Sequence, residues 1–374
     1  MFNHNHYVPI LKWKRGERTA LEKLTTTVKE NLTPLIEIQP IPYNYKDGVF
    51  SKTLTQHLEA IGSQVKTAWN QDRAMFVDVD KLYENTDSSE ETVQSGQHPV
   101  EFVIDDIESN GTEAIPVTGL YRNQSFSQAI KKVIKKYNRG VCFRLEEEEL
   151  SDLTSLPKVI DQLLQYYEVK PMEVDIILDY KQILPKQEND HINHLILLLA
   201  QFPYISEWRT LTITSTAYPK TLQQISTGSN GSLPRTEWTV YKKLSTFSLG
   251  RKPSFGDYNI THPDFVDLDP RVINVAAGIR YTYDDKFYIF RGVGVKSKGF
   301  AQMLNICNDV IKHSCYRGNT FSFGDQEIYD CANQTRSCGN AETWVTAGIN
   351  HHLTNVSNDI SSLPSTSVAH LQNA

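Results

Sequence analysis

The chain has 374 residues, a mass of 42.7 kDa and a formal net charge of −6. A chain of this length can bury a full core without cross-links, and its composition (39% hydrophobic, 22% charged, five cysteines) excludes collagens, disulfide scaffolds and wholesale disorder. Its mild acidity argues against nucleic-acid binding by bulk charge alone, although it leaves room for a local basic patch.

Short apolar runs alternate with amphipathic stretches over the first part of the chain. The predicted strands are residues 7–12, 33–38, 74–80, 114–120, 140–145, 174–179, 210–214 and 253–258. The intervening helical stretches are near residues 16–28, 53–69, 99–108, 125–137, 156–167, 189–202, 219–225 and 235–244. Repeated strand–helix units with short connections predict an α/β fold, a (β/α)8 TIM-barrel-like domain.

Two alternatives to this assignment bear on the barrel. The eighth strand could instead lie at residues 237–241, because element boundaries are the least certain part of such predictions. A dinucleotide-binding sheet is disfavoured, because the turn after the first strand carries only one glycine, Gly16.

The pattern changes after residue 270. Aromatic-rich runs at 275–283 and 286–293 flank a polar Asp284-Asp285 turn and predict a β-hairpin. Helices are expected near residues 299–313, 326–332 and 342–356. The sequence therefore predicts a TIM-barrel-like domain over residues 1–270, a C-terminal α+β appendage of hairpin and helices over 271–360, and a flexible tail over 361–374.

The cellular compartment is indicated by the cysteines and by the absence of targeting signals. Five cysteines without dense spacing are typical of reduced thiols. The first residues lack a basic segment followed by an apolar one, and no apolar run approaches the roughly 20 residues that span a bilayer. We therefore expect a cytoplasmic protein with no membrane partner; the oligomeric state stays open.

Several short motifs, spread over nearly the whole chain, carry a family resemblance. They are Tyr7-Val-Pro-Ile-Leu-Lys-Trp-Lys-Arg-Gly-Glu17, Pro34-Leu-Ile-Glu-Ile38, Phe255-Gly-Asp-Tyr258, Arg280-Tyr-Thr282, Gly324-Asp325 and Trp344…Gly348-Ile-Asn-His-His352. In this order they resemble the "beta protein" family of bacteriophages and bacterial mobile elements. The resemblance implies a phage- or prophage-associated cytoplasmic protein of phage–host conflict, such as antiviral defence, and it brings no catalytic residues with it.

Polar residues at the predicted strand ends mark the candidate site, because barrel active sites lie on the loops that follow the strands. The acidic candidates are Glu37, Asp78, Asp80, Asp179 and Asp257, and the basic candidates are Lys12, Lys14, Arg144 and Lys181. A carboxylate cluster of this kind can bind Mg²⁺ or Mn²⁺, and the basic residues can bind a phosphate. We expect Asp78, Asp80, Asp179 and Asp257 to be catalytic and Glu37 and the basic group to bind substrate.

The alternative is that these polar residues have only a structural role. Inward polar residues of barrels often form ion pairs that only fill the interior. Asp257 follows Gly256, which is also what a tight turn requires, and Asp325 is expected to cap a helix. Adjacent helical histidines point about 100° apart, so we expect only His351 of the His351-His352 pair to reach the pocket.

The predicted hairpin interleaves aromatic and basic residues, including Arg280, Tyr281 and Arg291. Such a surface could stack bases and bind phosphates, or its aromatics could face the core. The first function hypothesis is action on a phosphate-bearing nucleotide or nucleic acid at the barrel mouth, by metal-assisted or general acid/base hydrolysis if the protein is an enzyme. The alternative is a non-catalytic sensor or inhibitor that binds a phage or host protein through the hairpin and the mouth.

Overall fold

The structure is a computed structural model that describes residues 2–83, 92–264, 272 and 274–363. Its strands, in chain order, are β1 (Tyr7–Lys12), β2 (Leu35–Glu37), β3 (Tyr43–Asn44), β4 (Val49–Phe50), β5 (Met75–Asp78), β6 (Ala114–Thr118), β7 (Val141–Glu146), β8 (Val174–Gln182), β9 (Thr210–Thr216), β10 (Asn230–Pro234), β11 (Ser254–Asp257), β12 (Ala276–Tyr283) and β13 (Lys286–Gly294). The predicted tail lies outside the described residues from residue 364 onward.

The helices surround these strands. In chain order they are α1 (Arg15–Glu22), α2 (Thr26–Glu30), α3 (Leu54–Leu58), α4 (Ile61–Trp69), α5 (Pro99–Ser109), α6 (Gln124–Tyr137), α7 (Leu156–Tyr167), α8 (Glu188–Gln201), α9 (Thr236–Leu244), α10 (Val295–Lys298), α11 (Met303–Lys312), α12 (Phe323–Ala332) and α13 (Ala341–Ser361). Short 3₁₀ turns occur at Asp80–Tyr83, Pro171–Glu173 and Pro185–Gln187.

Eight parallel strands close into a barrel in the order β1-β11-β9-β8-β7-β6-β5-β2. Each barrel strand therefore lies between the barrel strands that precede and follow it along the chain, and β1 pairs with the last of them, β11. The register places Lys12 beside Glu37 and Glu37 beside Asp78, so the carboxyl ends of neighbouring strands meet at one face of the barrel. The predicted TIM-barrel-like fold is confirmed, with an eighth strand at Ser254–Asp257.

Side chains alternate along each strand between the barrel interior and the surrounding helices. The interior apolar cluster consists of Val8, Ile10, Leu35, Phe76, Ile115, Val117, Cys142, Ile177 and Tyr258. Gly256 also faces inward, and a Cβ there would collide with the Thr214 hydroxyl and the Val8 carbonyl oxygen. The close approach of strands, and not a turn, therefore explains this glycine.

Two predicted elements near the eighth strand differ in the structure. The alternative strand at 237–241 is wrong, because Trp238, Tyr241 and Leu244 are buried at helical spacing on α9. The stretch 219–225 forms no helix. Its carbonyl oxygens at Leu222 and Ile225 accept hydrogen bonds from the Arg291 guanidinium, and its backbone forms only an isolated turn in which Leu222 O accepts from the Ile225 N–H.

The C-terminal segment contributes a sheet and four helices. The hairpin of β12 and β13 forms around Asp284-Asp285 as predicted, and β10 pairs with β13 to make a three-stranded sheet. Because β10 precedes residue 270, this sheet joins residues from both sides of the predicted domain boundary. Helix α11 packs on the sheet, and α12 packs on α11 and α13.

Helix α13 connects the sheet to the barrel. It packs on α1, α2 and β1 on one side and on α12 and β12 on the other. Contact with α12 is close, because a Cβ at Gly324 would collide with the Ala347 carbonyl oxygen. Helix α13 has 21 residues, and neither it nor another helix within the described ranges combines the length and apolar character needed to cross a membrane.

Candidate functional site

A buried arginine lies at the centre of the polar residues inside the barrel. The Arg144 guanidinium, on β7, lies 2.8 Å from Glu37 Oε1, 2.8 Å from Asp78 Oδ2 and 2.7 Å from Asp179 Oδ2. It also donates to the Tyr258 hydroxyl, which donates in turn to Asp179. We call these five residues the Arg144 cluster. Each is at most 2% exposed, so the cluster is sealed from solvent.

The electrostatics of the Arg144 cluster follow from burial and from an excess of acid. Burial favours the neutral acid at Asp78, but the charges of Arg144 and Arg122 outweigh it and lower the pKa of Asp78. At Glu37, burial dominates and raises the pKa. The Glu37 oxygens make no hydrogen bond of normal geometry with a described residue. Glu37 is therefore more readily protonated than Asp78.

The predicted carboxylate site is arranged differently in the structure. Strand β5 ends at Asp78, and Asp80 lies in the following turn, where it pairs with Arg122 at 2.9 Å. Lys181 pairs with Glu146 at 2.6 Å. Arg144, expected to face a phosphate, is enclosed by carboxylates. Within the described ranges, no group of three or more histidine, cysteine, aspartate or glutamate side chains is arranged to hold a metal ion.

Lys12 is buried at the end of β1. Its ammonium group donates to the Asp264 carbonyl oxygen at 2.5 Å. Burial lowers the pKa of Lys12 to about 8, with the neighbouring Glu37 opposing the shift. Lys12, which lies beside Glu37 of the Arg144 cluster, therefore loses its proton more readily than an ordinary lysine.

Asp257 points away from the barrel interior, because its neighbour Tyr258 points into it. Its carboxylate accepts hydrogen bonds from the Tyr7 hydroxyl, the Asn259 backbone N–H and His352 Nε2, at 2.5, 2.9 and 2.9 Å. Burial favours the neutral acid, but His352 and other partners outweigh it and lower the pKa of Asp257. Asp257 therefore fastens α13 to the barrel wall and does not join the interior carboxylates.

His351 lies in a second sealed network, in the C-terminal segment. Its Nδ1 is 2.8 Å from Asp325 Oδ2, and its Nε2 is 2.7 Å from the Thr282 carbonyl oxygen. Because a carbonyl oxygen only accepts hydrogen bonds, Nε2 is the donor to Thr282. Tyr281 stacks on His351 and donates to Asp325 at 2.5 Å. The expected capping role of Asp325 is wrong, because Ser322 caps α12.

The two adjacent histidines thus hold different partners. His352 Nδ1 accepts from the Thr282 hydroxyl at 2.7 Å, while its Nε2 donates to Asp257. Burial lowers the pKa of His352, so the ring fits a neutral tautomer. Both histidines are fully buried, and neither reaches an open cavity.

An open pocket lies beside the Arg144 cluster, between the loops that follow β1 and β2. It measures about 380 Å³. Its lining residues are Trp13, Lys14, Arg15, Arg18, Ile38, Gln39, Pro40, Pro42, Lys52, His57, Ile61 and Gln64. We call it the rim pocket. The loops after barrel strands are where TIM-barrel proteins place their sites.

The rim pocket is cationic. Lys14, Arg15, Arg18 and Lys52 line it, and no aspartate or glutamate does. Arg15 pairs with Glu342 outside the pocket. The Arg18 guanidinium forms no ion pair or hydrogen bond with a described residue, and partial burial together with Arg15 lowers its pKa. An anionic ligand would relieve this concentration of positive charge.

Buried polar atoms without partners point to a ligand at the same place. Trp13 Nε1, Gln39 Oε1 and Gln64 Oε1 are inaccessible to solvent and make no hydrogen bond with the described residues. Trp13 and Gln39 are each only 6% exposed. Buried polar groups are nearly always satisfied in native proteins. One donor and two acceptors thus remain for a ligand at the pocket wall.

The start of α1 adds backbone donors. Lys14 is the N-cap residue, and its side chain does not cap the helix. The first N–H groups of a helix lack intrahelical partners and attract anions. Because α1 begins at Arg15, on the pocket lining, its first N–H groups lie beside the cationic side chains, and the Glu17 carboxyl of the first turn accepts one of them.

The sequence identified this pocket only in part. Lys14 was among the predicted phosphate-binding residues, whereas Trp13, Arg18, Gln39 and Lys52 were not. A local signal existed, because the stretch 12–18 carries four basic residues, the last residue of the first strand and three directly after it. Lys52 and Gln64 carry no such signal, since Lys52 precedes α3 and Gln64 lies on α4, and both reach the pocket only through the fold.

The chain was compared with protein families, curated proteins and solved structures. The sequence model of the Beta protein family matches residues 7–358. No curated protein matches the sequence at a significant level. Among solved structures, the chain is similar to two mutants of the tryptophan synthase alpha-subunit from the hyperthermophile Pyrococcus furiosus, each with 10% identity, a TM-score of 0.37 and coverage of 69% of this chain and 89% of the other.

Proposed function

We propose, starting from the fact that this chain belongs to the Beta protein family, that it binds a phosphate-bearing nucleotide or nucleic acid in the rim pocket at the mouth of its barrel. The biological setting that the family resemblance implies, conflict between a phage and its bacterial host, belongs to the same proposal. The proposal includes a cytoplasmic location, because nucleotides and the genomes of infecting phages are present in the cytoplasm.

One observation carries this function. The rim pocket combines four cationic side chains, no acidic lining residue and buried polar atoms that lack partners. Charge alone would fit a solvated surface, but solvated surfaces do not bury unpartnered donors and acceptors. A pocket with these cations and these unpartnered polar atoms fits an anionic ligand that also forms hydrogen bonds.

A nucleotide fits the rim pocket better than a bare phosphate ion. The lining mixes the cations with apolar surfaces from Trp13, Ile38, Pro40, Pro42 and Ile61. Small-molecule sites of about 300–1,000 Å³ typically combine apolar walls with a few placed polar groups. Phosphate oxygens would face Arg18 and Lys52, while a base or sugar would cover the apolar wall and use the Gln39 and Gln64 oxygens.

Calorimetric titration of the purified protein tests the proposal. The probes are AMP, ATP, a short 5′-phosphorylated oligonucleotide, inorganic phosphate and adenosine, which carries no phosphate. The double variant Arg18→Met/Lys52→Met removes two pocket charges that have no ion pair with described residues. Lys158→Met/Lys186→Met is the matched control, because these exposed lysines follow the barrel strands β7 and β8, opposite β1 and β2.

We expect a phosphate-bearing probe to bind and adenosine not to bind. The Arg18→Met/Lys52→Met protein should bind at least tenfold more weakly, about 1.4 kcal/mol, and the lysine control should bind as the parent does. The affinity should also fall as salt rises. Equal affinity in the pocket variant, or equal loss in the control, would contradict the proposal.

Hydrolysis is tested in the same experiment by adding Mg²⁺ or Mn²⁺ and separating the nucleotides afterwards. Asp80 is the predicted catalytic carboxylate that keeps solvent access, with a third of its side chain exposed, whereas Asp78, Asp179 and Asp257 are sealed. Turnover that disappears in Asp80→Asn would extend the proposal to a hydrolase. Nucleotide recovered unchanged would leave a non-catalytic binding protein.

A further inference from the structure

A second cavity lies against β12, at the edge of the three-stranded sheet, and measures about 430 Å³. Its walls are largely apolar and include Leu222, Val275, Phe290, Phe300 and Trp344. The Val275 side chain remains 52% exposed, so the cavity opens to solvent beside it. A volume of this size is typical of small-molecule sites.

The cationic groups of this cavity come from the hairpin. Gly278 pairs with Arg291 and Arg280 pairs with Ile289 across the strands, so the two arginines project from the same face. Arg291 donates to backbone carbonyl groups, and Arg280 makes no ion pair with a described residue. Lys220 also lines the cavity, but Asp264 pairs with it at 2.9 Å. Two guanidinium charges are thus left without a carboxylate.

A buried hydroxyl faces these arginines. Tyr218 is 3% exposed, lines the cavity, and its hydroxyl makes no hydrogen bond of normal geometry with a described residue. The Arg280 guanidinium lies 5.6 Å from the centre of the Tyr218 ring. Burial raises the pKa of Tyr218, while the charge of Arg280, its approach to the hydroxyl and the charge of Arg291 oppose the shift. The hydroxyl therefore lies close to the Arg280 guanidinium.

We propose that this cavity binds an amphiphilic anion, an apolar body carrying one carboxylate or phosphate head group. The head group lies between Arg280 and Arg291 and accepts a hydrogen bond from Tyr218, since guanidinium groups bind carboxylate and phosphate through paired N–H donors. The body packs against the apolar walls, where its burial contributes most of the affinity. The observations are independent of the rim pocket, with which this cavity shares no lining residue.

The test is titration of the full chain with decanoate, decyl phosphate, decanol and decyltrimethylammonium, each below its micelle concentration. The first two differ only in the anionic head, and the last two share the apolar chain without the negative charge. Arg280→Met removes one guanidinium while keeping an apolar stem. Val275→Trp narrows the cavity at its opening, and Lys286→Met is the control on the same hairpin, because Lys286 is exposed and does not line the cavity.

We expect decanoate or decyl phosphate to bind with one-to-one stoichiometry, and the preferred head group to identify the source as a carboxylate or a phosphate. Arg280→Met and Val275→Trp should each weaken binding at least tenfold, while Lys286→Met and Arg18→Met/Lys52→Met leave it unchanged. Equal binding of decanol or decyltrimethylammonium would overturn the proposal, as would unchanged affinity in a folded Arg280→Met protein. Thermal melting of each variant verifies that it is folded.

Discussion

The Arg144 cluster and the rim pocket lie at the same end of the barrel and both contain cationic side chains, but their charges are arranged in opposite ways. In the cluster, one guanidinium is enclosed by three carboxylates and a tyrosine, all sealed from water. In the pocket, four cationic side chains share an open wall with no acidic residue. The charges of the first arrangement are compensated within the protein, whereas the open wall of the second can accept an anion from outside.

The difference shows which property separates a structural charge from a binding charge. Strand-end position is common to Arg144 and Lys14, so position does not distinguish them. Burial does, because a buried charge must be compensated within the protein, while an exposed charge can be compensated by water or by a ligand. Substitutions in sealed networks should therefore change stability, and substitutions in the pocket should change binding.

The largest effect is expected from Arg144→Met. It leaves Glu37, Asp78 and Asp179 buried without their cation, and breaking a buried ionic group in this way costs about 3–5 kcal/mol. Urea denaturation followed by circular dichroism measures the free energy of unfolding. The control Arg139→Met breaks ion pairs to Glu108 and Glu113 at a partly exposed site, where about 1 kcal/mol or less is expected. Similar losses in both variants would remove the distinction between sealed and exposed pairs.

A second sealed pair predicts a pH effect. Glu237 accepts from the Ala217 N–H, and Arg235 Nε lies 3.6 Å from it. Burial raises the pKa of Glu237 from 4.5 to about 7. The resulting stabilisation is fully present below about pH 4.5 and is lost as the pH rises through about 7. It is at most about 3 kcal/mol.

Replacing this carboxyl tests the assignment. In Glu237→Gln, the free energy of unfolding should change less between pH 5 and pH 8 than in the parent protein. The control Glu59→Gln removes an exposed carboxyl and should keep the parent's pH dependence. If the free energy of unfolding of Glu237→Gln changed with pH as much as that of the parent, groups other than Glu237 would cause the pH dependence.

A smaller loss is expected from Asp257→Asn. The change removes the negative charge that accepts from Tyr7 and His352 at a fully buried site, and it should cost about 1–3 kcal/mol. Asp161→Asn is the matched control, because Asp161 accepts a hydrogen bond from the Tyr204 hydroxyl at an exposed site. A loss of less than about 0.5 kcal/mol is expected there. Equal losses of stability in the two variants would show that burial does not determine how much such a hydrogen bond contributes.

The smallest effect on stability is expected in the rim pocket. Arg18→Met/Lys52→Met removes no ion pair with a described residue, so the free energy of unfolding should stay within about 0.5 kcal/mol of the parent. The bound nucleotide should raise the melting temperature of the parent and not that of the variant. A variant that unfolds much more readily than the parent would place these cations with the structural charges instead.

Much of the barrel could be predicted from local pattern. Strand runs such as Tyr7–Lys12 and helices such as α6 carry their periodicity in consecutive residues, and the parallel order follows from their alternation. The failures occur where long-range contacts decide. Residues 219–225 have carbonyl groups that bind the distant Arg291, and Asp325 lost its expected capping role because its carboxylate binds Tyr281 and His351.

The sequence by itself determined the fold class, the positions of the eight barrel strands, the hairpin and the family resemblance, because each depends on neighbours within a few residues. Only the tertiary structure decided which charges are paired. Arg144 on β7 meets Glu37 of β2 across the barrel and Asp179 of the neighbouring β8, and Lys52 lines the same pocket as Arg18 of α1. Such partners are set by the closure of the sheet, since strand alternation fixes a residue's face but not which side chains arrive opposite it.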